Sequence, residues 1–299
     1  MPTLVITGGS SGIGAATAQH FAAHGYTVFE LSRHGVSTPA VTHLTCDVTS
    51  PDDCRRAVSR VAEAAGAIDV LVSNAGYGIS GAVEYTAVSD ARRQLDVNFF
   101  GTVNVVQAAL PYMRRRRQGR IILVGSMAAV FPIPFQAFYS ASKAAVGALA
   151  YALRNELRPF GIHVSCFMPG DVKTAFTGSR GKSLDGADTY TAMQHAVAVM
   201  ERDEQNGMPP ETIARSLLKL AARRRPPLYT TAGLQYHIFS LLNRILPASL
   251  VCRVVGKKDI FLKGSSLHKI LYMCTKHGVL CIFCTLFLPI QKIISTFVP

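Results

Sequence analysis

The stretch that decides the fold lies at the start of the chain and reads Thr3-Leu-Val-Ile-Thr7-Gly-Gly-Ser-Ser-Gly-Ile-Gly14. Its first five residues are mostly apolar or β-branched, which predicts a buried strand, and residues 12–24 carry a helical pattern. Glycines between a strand and a helix let the backbone turn sharply and approach a pyrophosphate, which binds the amides and positive dipole of the helix N-terminus. The same glycines also suit a plain structural turn, and both interpretations stay open here.

Strands and helices continue to alternate from this stretch to about residue 170. We predict further strands at residues 27–31, 41–45, 69–73, 120–125 and 162–168, and helices at Pro51–Ala65 and residues 89–113 and 139–158. Such alternation is typical of a parallel sheet covered on both faces by helices. The sequence therefore predicts an α/β fold with a doubly wound parallel sheet of the Rossmann type.

The chain after Gly170 changes in character. Residues 171–188 are rich in Gly, Ser, Thr and Lys and predict a mobile loop. Helices at residues 190–204 and 211–222 and a last strand at 228–231 follow in the prediction. We expect one catalytic domain over residues 1–262, with a substrate loop at about 171–210, and a basic and apolar C-terminal extension over 263–299.

Composition limits the classes of protein that fit. The chain has 299 residues, 49% of them hydrophobic, and a formal net charge of +13, of which the residues from Arg253 onward contribute +6. The N-terminus carries no secretory pattern, so we expect the cytoplasm and free thiols. Cys281 and Cys284 form a CxxC near Cys274 and His277, but its inner residues are apolar and no second pair is suitably spaced. We therefore expect no metal.

The end of the second predicted strand bears on the choice of cofactor. An acidic residue there would bind the ribose 2′-hydroxyl of NAD, whereas arginine accommodates the 2′-phosphate of NADP. The strand ends in Leu31-Ser32-Arg33-His34, and Glu30 lies two residues before Ser32. Ser32 and Arg33 therefore favour NADP(H); the alternative is that Arg33 is a solvated loop charge.

Three polar side chains further along predict proton-transfer chemistry. Tyr139 and Lys143 are four residues apart at the start of a predicted helix and share one face. An adjacent ammonium is expected to lower the tyrosine pKa, as a general acid/base requires. Ser126 follows a predicted strand, where its hydroxyl is placed to bind a substrate oxygen. Each residue alone also has an ordinary structural explanation, but the combination indicates hydride transfer to or from a carbonyl carbon.

Taken together over residues 2–235, the motifs resemble the classical short-chain dehydrogenase/reductase family. The resemblance rests on the glycine turn, Asp47-Val48, Asn74-Ala75-Gly76, Asn98, Ser126, Tyr139 with Lys143, and Pro169-Gly170 with Val172 and Thr174. It implies that Asn98, Ser126, Tyr139 and Lys143 are catalytic, that Asn98 holds a relay water, and that Lys143 also binds the nicotinamide ribose. It further implies a cofactor site formed by Gly8, Ser10, Ser11, Gly12, Ile13, Gly14, Ser32, Arg33, Asp47, Val48, Asn74, Ala75, Gly76, Tyr139, Lys143, Pro169, Gly170, Val172 and Thr174. Family members are commonly oligomers, so a homo-oligomer is expected by resemblance.

The segment between Ser126 and Tyr139 bears on the substrate. It is uncharged, and Gln136 is its only strongly polar side chain. An apolar wall here favours a lipophilic ketone or alcohol, although several of these residues must also pack the core. The resemblance is closest to the branch with 17β-hydroxysteroid and retinol dehydrogenases, which implies a steroid, retinoid or acyl ketone with Ser126 and Tyr139 at the substrate. The alternative is a non-catalytic nucleotide-binding or membrane-tethered protein that has kept the fold.

Two basic regions raise the question of further partners. The arginines at 114–117, with Arg120, lie between a predicted helix end and a strand without interleaved aromatic residues, so they indicate a solvated helix cap and no nucleic acid. The tail is basic up to Lys276 and apolar over residues 279–290, a run too short to span a bilayer. It predicts contact with an anionic membrane surface, with cover for the substrate opening or contact with a second subunit as alternatives.

Overall fold

The computed structural model describes residues 1–183 and 185–261. A seven-stranded parallel sheet forms the centre, with strand order β3-β2-β1-β4-β6-β7-β9. Its strands are β1 (Thr3–Thr7), β2 (Thr27–Ser32), β3 (Thr42–Thr45), β4 (Val70–Ser73), β6 (Gly119–Val124), β7 (Ile162–Phe167) and β9 (Tyr229–Thr230). The order reverses direction at β1, where β4 adds on the opposite side from β2, so the predicted doubly wound fold is confirmed.

Helices cover both faces of this sheet. They are α1 (Gly12–Ala23), α2 (Pro51–Ala65), α3 (Val88–Leu95), α4 (Gly101–Arg116), α5 (Ala137–Glu156), α6 (Phe176–Ser179), α7 (Met193–Gln205), α8 (Pro210–Ala222), α9 (Leu234–Ile245) and α10 (Ala248–Phe261). Alternate side chains of β1 point to opposite faces: Leu4 and Ile6 pack with Phe21 of α1 on one, and Val5 packs with residues of α2, α4 and α5 on the other. Burying each large apolar side chain contributes about 1.5–3 kcal/mol.

The helix predicted at residues 89–113 is interrupted. A single π-helical turn, Asp96–Phe100, separates α3 from α4. Within this turn the Asn98 side chain is buried and binds the backbone of Tyr77, while the Thr102 hydroxyl donates to the Asn98 carbonyl oxygen at 2.9 Å. Because π turns insert one extra residue into a helix, the turn redirects Asn98 toward its partners.

The segment predicted as a loop at residues 171–188 contains regular structure. It includes α6 and the strand β8 (Gly181–Lys182), which pairs in parallel with β5 (Ile79–Ser80) in a separate two-stranded sheet. The prediction of a loop over residues 171–188 therefore missed this short helix and this strand. Short strands of two residues carry almost no periodic signal, so their pairing depends on tertiary contacts.

The C-terminal region is described as far as Phe261, the last residue of α10. The tail over 263–299 and its CxxC lie outside the described residues. In the described part of the chain, no helix is long and apolar enough to cross a membrane.

Candidate active site

A cleft of about 1290 Å³ lies beyond the carboxyl ends of the central strands. Nearly all of the predicted cofactor and catalytic residues border it: Gly8, Ser10, Ser11, Gly12, Ile13, Ser32, Arg33, Asp47, Val48, Asn74, Ala75, Gly76, Ser126, Tyr139, Lys143, Pro169, Gly170, Val172 and Thr174. Gly14 and Asn98 are buried behind its wall. Ligands of doubly wound folds bind at this edge, next to the point where the strand order reverses.

The glycine turn brings the N-terminus of α1 to the cleft. Gly8 and Gly12 adopt positive φ angles of 66° and 52°, a conformation that favours glycine. A Cβ atom on Gly14 would lie 2.0 Å from the carbonyl oxygen of Gly8, so α1 can pack against the turn only without a side chain there. The turn thus presents backbone amides and the helix dipole to an anion.

The turn is fixed to the neighbouring strand by Thr7 and Asn74. The Thr7 hydroxyl accepts hydrogen bonds from the backbone amides of Asn74 at 2.9 Å and Ala75 at 3.0 Å. The Asn74 side chain donates to the Thr7 carbonyl at 3.1 Å. These bonds hold the ends of β1 and β4 together under the cleft.

At the outer end of the cleft, the residue that follows β2 is Arg33 and not an acidic residue. Arg33 is exposed on the cleft wall, while Glu30 is buried and points to His43 of β3, with which it forms a hydrogen bond. The Ser32 hydroxyl donates to the same Glu30 carboxylate at 3.2 Å, so its proton is directed away from the cleft. The geometry leaves Arg33 as the charged group at this position.

The polar residues at the inner end come from three elements. Lys143 Nζ lies 5.9 Å from the centroid of the Tyr139 ring and donates to the carbonyl oxygen of Val124, at the end of β6, at 2.8 Å. Ser126 follows β6, and its side chain lies close enough to Tyr139 to influence the pKa of the phenol. Asn98 donates to the Ser142 hydroxyl at 3.0 Å, behind the wall. The structure therefore brings Ser126, Tyr139 and Lys143 together at the cleft and places Asn98 one layer deeper.

The expected lowering of the tyrosine pKa is not found. Burial raises the pKa of Tyr139 to about 12, against a lowering contribution from the nearby Ser126 side chain. Burial also lowers the pKa of Lys143 to about 8. The prediction was wrong because four-residue spacing fixes proximity but not desolvation, which penalises the charged form of both groups. The phenol of Tyr139 is therefore protonated at neutral pH.

An apolar wall surrounds the inner end. The segment predicted to border the substrate contributes five residues to this wall: Met127, Ala128, Phe131, Ile133 and Gln136. A second contribution, not predicted from the sequence, comes from α9, the residue that follows it and α10: Tyr236, Phe239, Leu242, Leu246, Val251 and Val255. The sequence carried a signal for this contribution, because Tyr236, Phe239, Leu242 and Leu246 recur at intervals of three or four residues, as on one face of a helix.

Tyr236 holds α9, which covers the inner end of the cleft, against the chain at Gly170 and Asp171. Its ring packs so closely on Gly170 that a Cβ there would lie 2.0 Å from it. The Tyr236 hydroxyl donates to the Asp171 carboxylate and accepts from the Asp171 amide, both at 2.8 Å. Burial and the Asp171 charge raise the pKa of Tyr236, which keeps it a neutral donor.

Two further questions raised by the sequence concern the arginine run at residues 114–117 and metal binding. The arginine run ends α4, where Arg116 pairs with Asp69 at 3.0 Å and Arg117 donates to the Pro159 carbonyl at 2.8 Å. Among the described residues, no group of three or more His, Cys, Asp or Glu side chains is arranged to hold a metal ion.

Comparisons with known proteins agree with this site. The family described as short chain dehydrogenase matches residues 2–185. A 3-ketodihydrosphingosine reductase of Bacteroides thetaiotaomicron is 40% identical over 237 residues, which cover 77% of this chain and 87% of that protein. The human 17-beta-hydroxysteroid dehydrogenase type 1 is 34% identical over 252 residues, 75% of each chain.

A solved structure agrees as well. A short-chain dehydrogenase from Streptomyces avermitilis superposes with a TM-score of 0.72 at 26% identity, covering 85% of this chain and 97% of that one. The fold, the site and these matches lead to one conclusion: this chain belongs to the classical short-chain dehydrogenase/reductase family of oxidoreductases, among relatives of the steroid and retinol dehydrogenases.

Proposed function

We propose that this chain is an NADP(H)-dependent oxidoreductase that transfers a hydride between the cofactor and a carbonyl or alcohol carbon of a lipophilic substrate. The observation that carries the proposal is the position of Tyr139, Lys143 and Ser126 at the apolar end of a cleft whose other end is a glycine turn. The 3-ketodihydrosphingosine reductase named above supports a lipid ketone as the substrate class.

The chain's own residues fit the cofactor. The glycine turn and the α1 N-terminus would hold the pyrophosphate, Asp47 and Val48 the adenine, and Arg33 the 2′-phosphate. Further lining residues would hold the nicotinamide half: Asn74, Ala75, Gly76, Pro169, Gly170, Val172 and Thr174. The bound cofactor supplies or accepts the hydride.

The proton of the reaction comes from a side chain of the protein. In the reductive direction Tyr139 gives its phenolic proton to the substrate oxygen while the carbonyl carbon is reduced, and the O–H bond of the product alcohol forms. The Ser126 hydroxyl binds the same oxygen and stabilises the charge that develops on it. The Lys143 ammonium stabilises the phenolate that remains, and Asn98 holds the relay that returns a proton from solvent.

The direct test is consumption of NADPH with a panel of steroid, retinoid and acyl ketones, followed at the nicotinamide absorbance. We expect turnover of at least one lipophilic ketone and little with small polar ketones. Binding of NADPH without turnover of any member of the panel would favour the non-catalytic alternative.

Cofactor choice is tested separately with Arg33→Ala. Loss of a charge-assisted contact with phosphate is expected to weaken NADPH binding about tenfold or more, with NADH binding nearly unchanged. Arg60→Ala, an exposed arginine on α2 away from the cleft, is the matched control. Equal losses for the two nucleotides would contradict recognition of the 2′-phosphate.

We also infer a cytoplasmic protein that contacts a membrane surface near the cleft. Leu234, Leu241 and Ile245 recur on one face of α9 and are 76%, 41% and 49% exposed, while the opposite face covers the cleft. The basic tail suits an anionic surface. Flotation with anionic vesicles tests membrane contact, and we expect the full chain to float and a chain ending at Phe261 to float less.

We further infer a homo-oligomer. The mass of the protein in solution tests it, and a mass of one chain would contradict it.

A further inference from the structure

Two buried cysteines lie in contact at the nucleotide end of the cleft. Cys46 directly follows β3 and is 1% exposed, and Cys54 lies near the N-terminus of α2 and is fully buried. The Cys46 thiol donates to the sulfur of Cys54, and the two sulfur atoms are 3.9 Å apart. Neither thiol takes part in the proposed hydride and proton transfer, so this pair is available for chemistry of its own.

The chain next to the pair forms part of the cleft wall. Cys46 lines the cleft together with Asp47 and Val48, the residues proposed to hold the adenine. The Cys54 thiol donates to the Val48 carbonyl oxygen at 3.7 Å, and the Asp47 amide donates to Asp53 Oδ2 at 3.3 Å. A change in the position of either sulfur is therefore transmitted directly to the adenine end of the cleft.

The contact between the thiols makes one of them more acidic. The hydrogen bond that Cys54 accepts from Cys46 lowers the pKa of Cys54, because it stabilises the thiolate. A thiolate is the form of cysteine that reacts with peroxides. Hydrogen peroxide is small enough to approach the pair from the cleft, which Cys46 lines. The Cys46 sulfur then lies next to the oxidised Cys54 and can react with it.

We propose that Cys46 and Cys54 form a reversible disulfide when the protein meets hydrogen peroxide without a bound nucleotide. The Cys54 thiolate attacks one peroxide oxygen, so that an S–O bond forms, the O–O bond breaks, and the departing hydroxide takes the Cys46 proton to give water. The Cys46 thiolate then attacks the sulfur of the Cys54 sulfenic acid and displaces hydroxide, which takes a proton from solvent. The sulfurs lose two electrons in total, and these reduce the peroxide to water.

The disulfide is expected to weaken nucleotide binding. An S–S bond is about 2 Å long, so the sulfur atoms must move about 1.9 Å closer than in the reduced pair. This movement breaks the contact of Cys54 with Val48 and shifts Cys46, the neighbour of Asp47. The effect on binding rests on the proposed function, whereas the thiol chemistry does not. By linkage, a bound nucleotide should in turn protect the pair from oxidation.

Mass analysis of one tryptic peptide tests the disulfide. The peptide of residues 34–55 begins after Arg33, ends at Arg55, and contains both cysteines and no other. After treatment with hydrogen peroxide, denaturation and alkylation, we expect it to carry no alkyl group and to be lighter by two hydrogen atoms than the reduced peptide. Dithiothreitol should restore both alkylation sites, and saturating NADP⁺ during the treatment should keep them reduced.

Variants identify the sulfurs that react. Cys54→Ser should not show the loss of two hydrogen atoms, and Cys54→Ala serves the same purpose if the serine variant does not fold. Cys252→Ser, at an exposed position on α10, is the matched control and should form the disulfide as the wild type does.

Two results would overturn the proposal. One is a pair that stays fully alkylated at a peroxide concentration that oxidises the exposed Cys252 in the same sample. The other is a disulfide that leaves nucleotide binding unchanged, because we expect the NADP⁺ dissociation constant to rise about tenfold or more and to recover with dithiothreitol. A reduced protein that binds no NADP⁺ but still forms the disulfide would instead contradict the proposed cofactor.

Discussion

Lys143→Met is expected to make the protein more stable at neutral pH while removing its activity. Burial lowers the pKa of Lys143 from 10.5 to about 8. The difference between these values corresponds to about 3 kcal/mol of free energy. Because the unfolded chain binds this proton more tightly than the folded one, that free energy is missing from stability below pH 8 and returns as the pH rises from about 8 to 10.5.

The substitution also removes a hydrogen bond. Lys143 donates to the Val124 carbonyl at 2.8 Å, and leaving that oxygen unpaired costs about 1 kcal/mol or more. Methionine fills a similar volume, so little cavity cost is added. The net gain in the free energy of unfolding at pH 7 is therefore about 2 kcal/mol.

Urea unfolding at pH 7 and pH 10 measures the free energy of unfolding of the wild type and the variant. The variant should exceed the wild type at pH 7, and the advantage should disappear at pH 10, where the folded lysine is neutral. Lys219→Met, at an exposed position on α8, should change stability by less than about 0.5 kcal/mol at both pH values. A Lys143 variant less stable than the wild type at pH 7, or a difference independent of pH, would refute the reasoning.

Three further outcomes are expected. Gly14→Ala places a methyl group 2.0 Å from a backbone oxygen and should weaken NADPH binding at least about tenfold in a titration, whereas Gly178→Ala, with nothing within 4 Å, should not. Ketone reduction should keep its rate up to about pH 8 and fall above it, because the Lys143 ammonium, whose pKa burial lowers to about 8, is lost while Tyr139 is still protonated; a reductive rate that stays level from pH 7 to pH 10 would contradict this. Tyr236→Phe should raise the KM for the ketone more than that for NADPH, since it loosens the α9 cover, and equal increases would count against that role.

Much of the fold follows from local patterns. The glycine turn, the strands of the central sheet and the helix Pro51–Ala65 were predictable because each carries its own periodicity and end signals. The resemblance to the short-chain dehydrogenase/reductase family supplied most residues of the cleft, while the glycine turn, Ser32 and Arg33 followed from the rule that ligands bind beyond the carboxyl ends of parallel strands. Arg33 belonged to this set because it directly follows β2.

Other features depend on contacts between distant segments. The π-helical turn at Asn98 and the pairing of β5 with β8 have no periodic signal of their own. The pair of Arg180 and Glu204 joins residues far apart in sequence, and the pKa of Tyr139 depends on how many atoms surround it rather than on its spacing from Lys143. Proximity could be inferred from the sequence, but the degree of burial could not.

The central claim is that Tyr139 donates the proton in carbonyl reduction, and Tyr139→Phe measures it most directly. The substitution removes one hydroxyl and keeps the ring against Phe176. We predict that kcat with NADPH and a long-chain ketone falls by about a hundredfold or more, while the NADPH dissociation constant changes by less than about threefold. A variant that binds NADPH normally and still reduces the ketone at the wild-type rate would contradict the account.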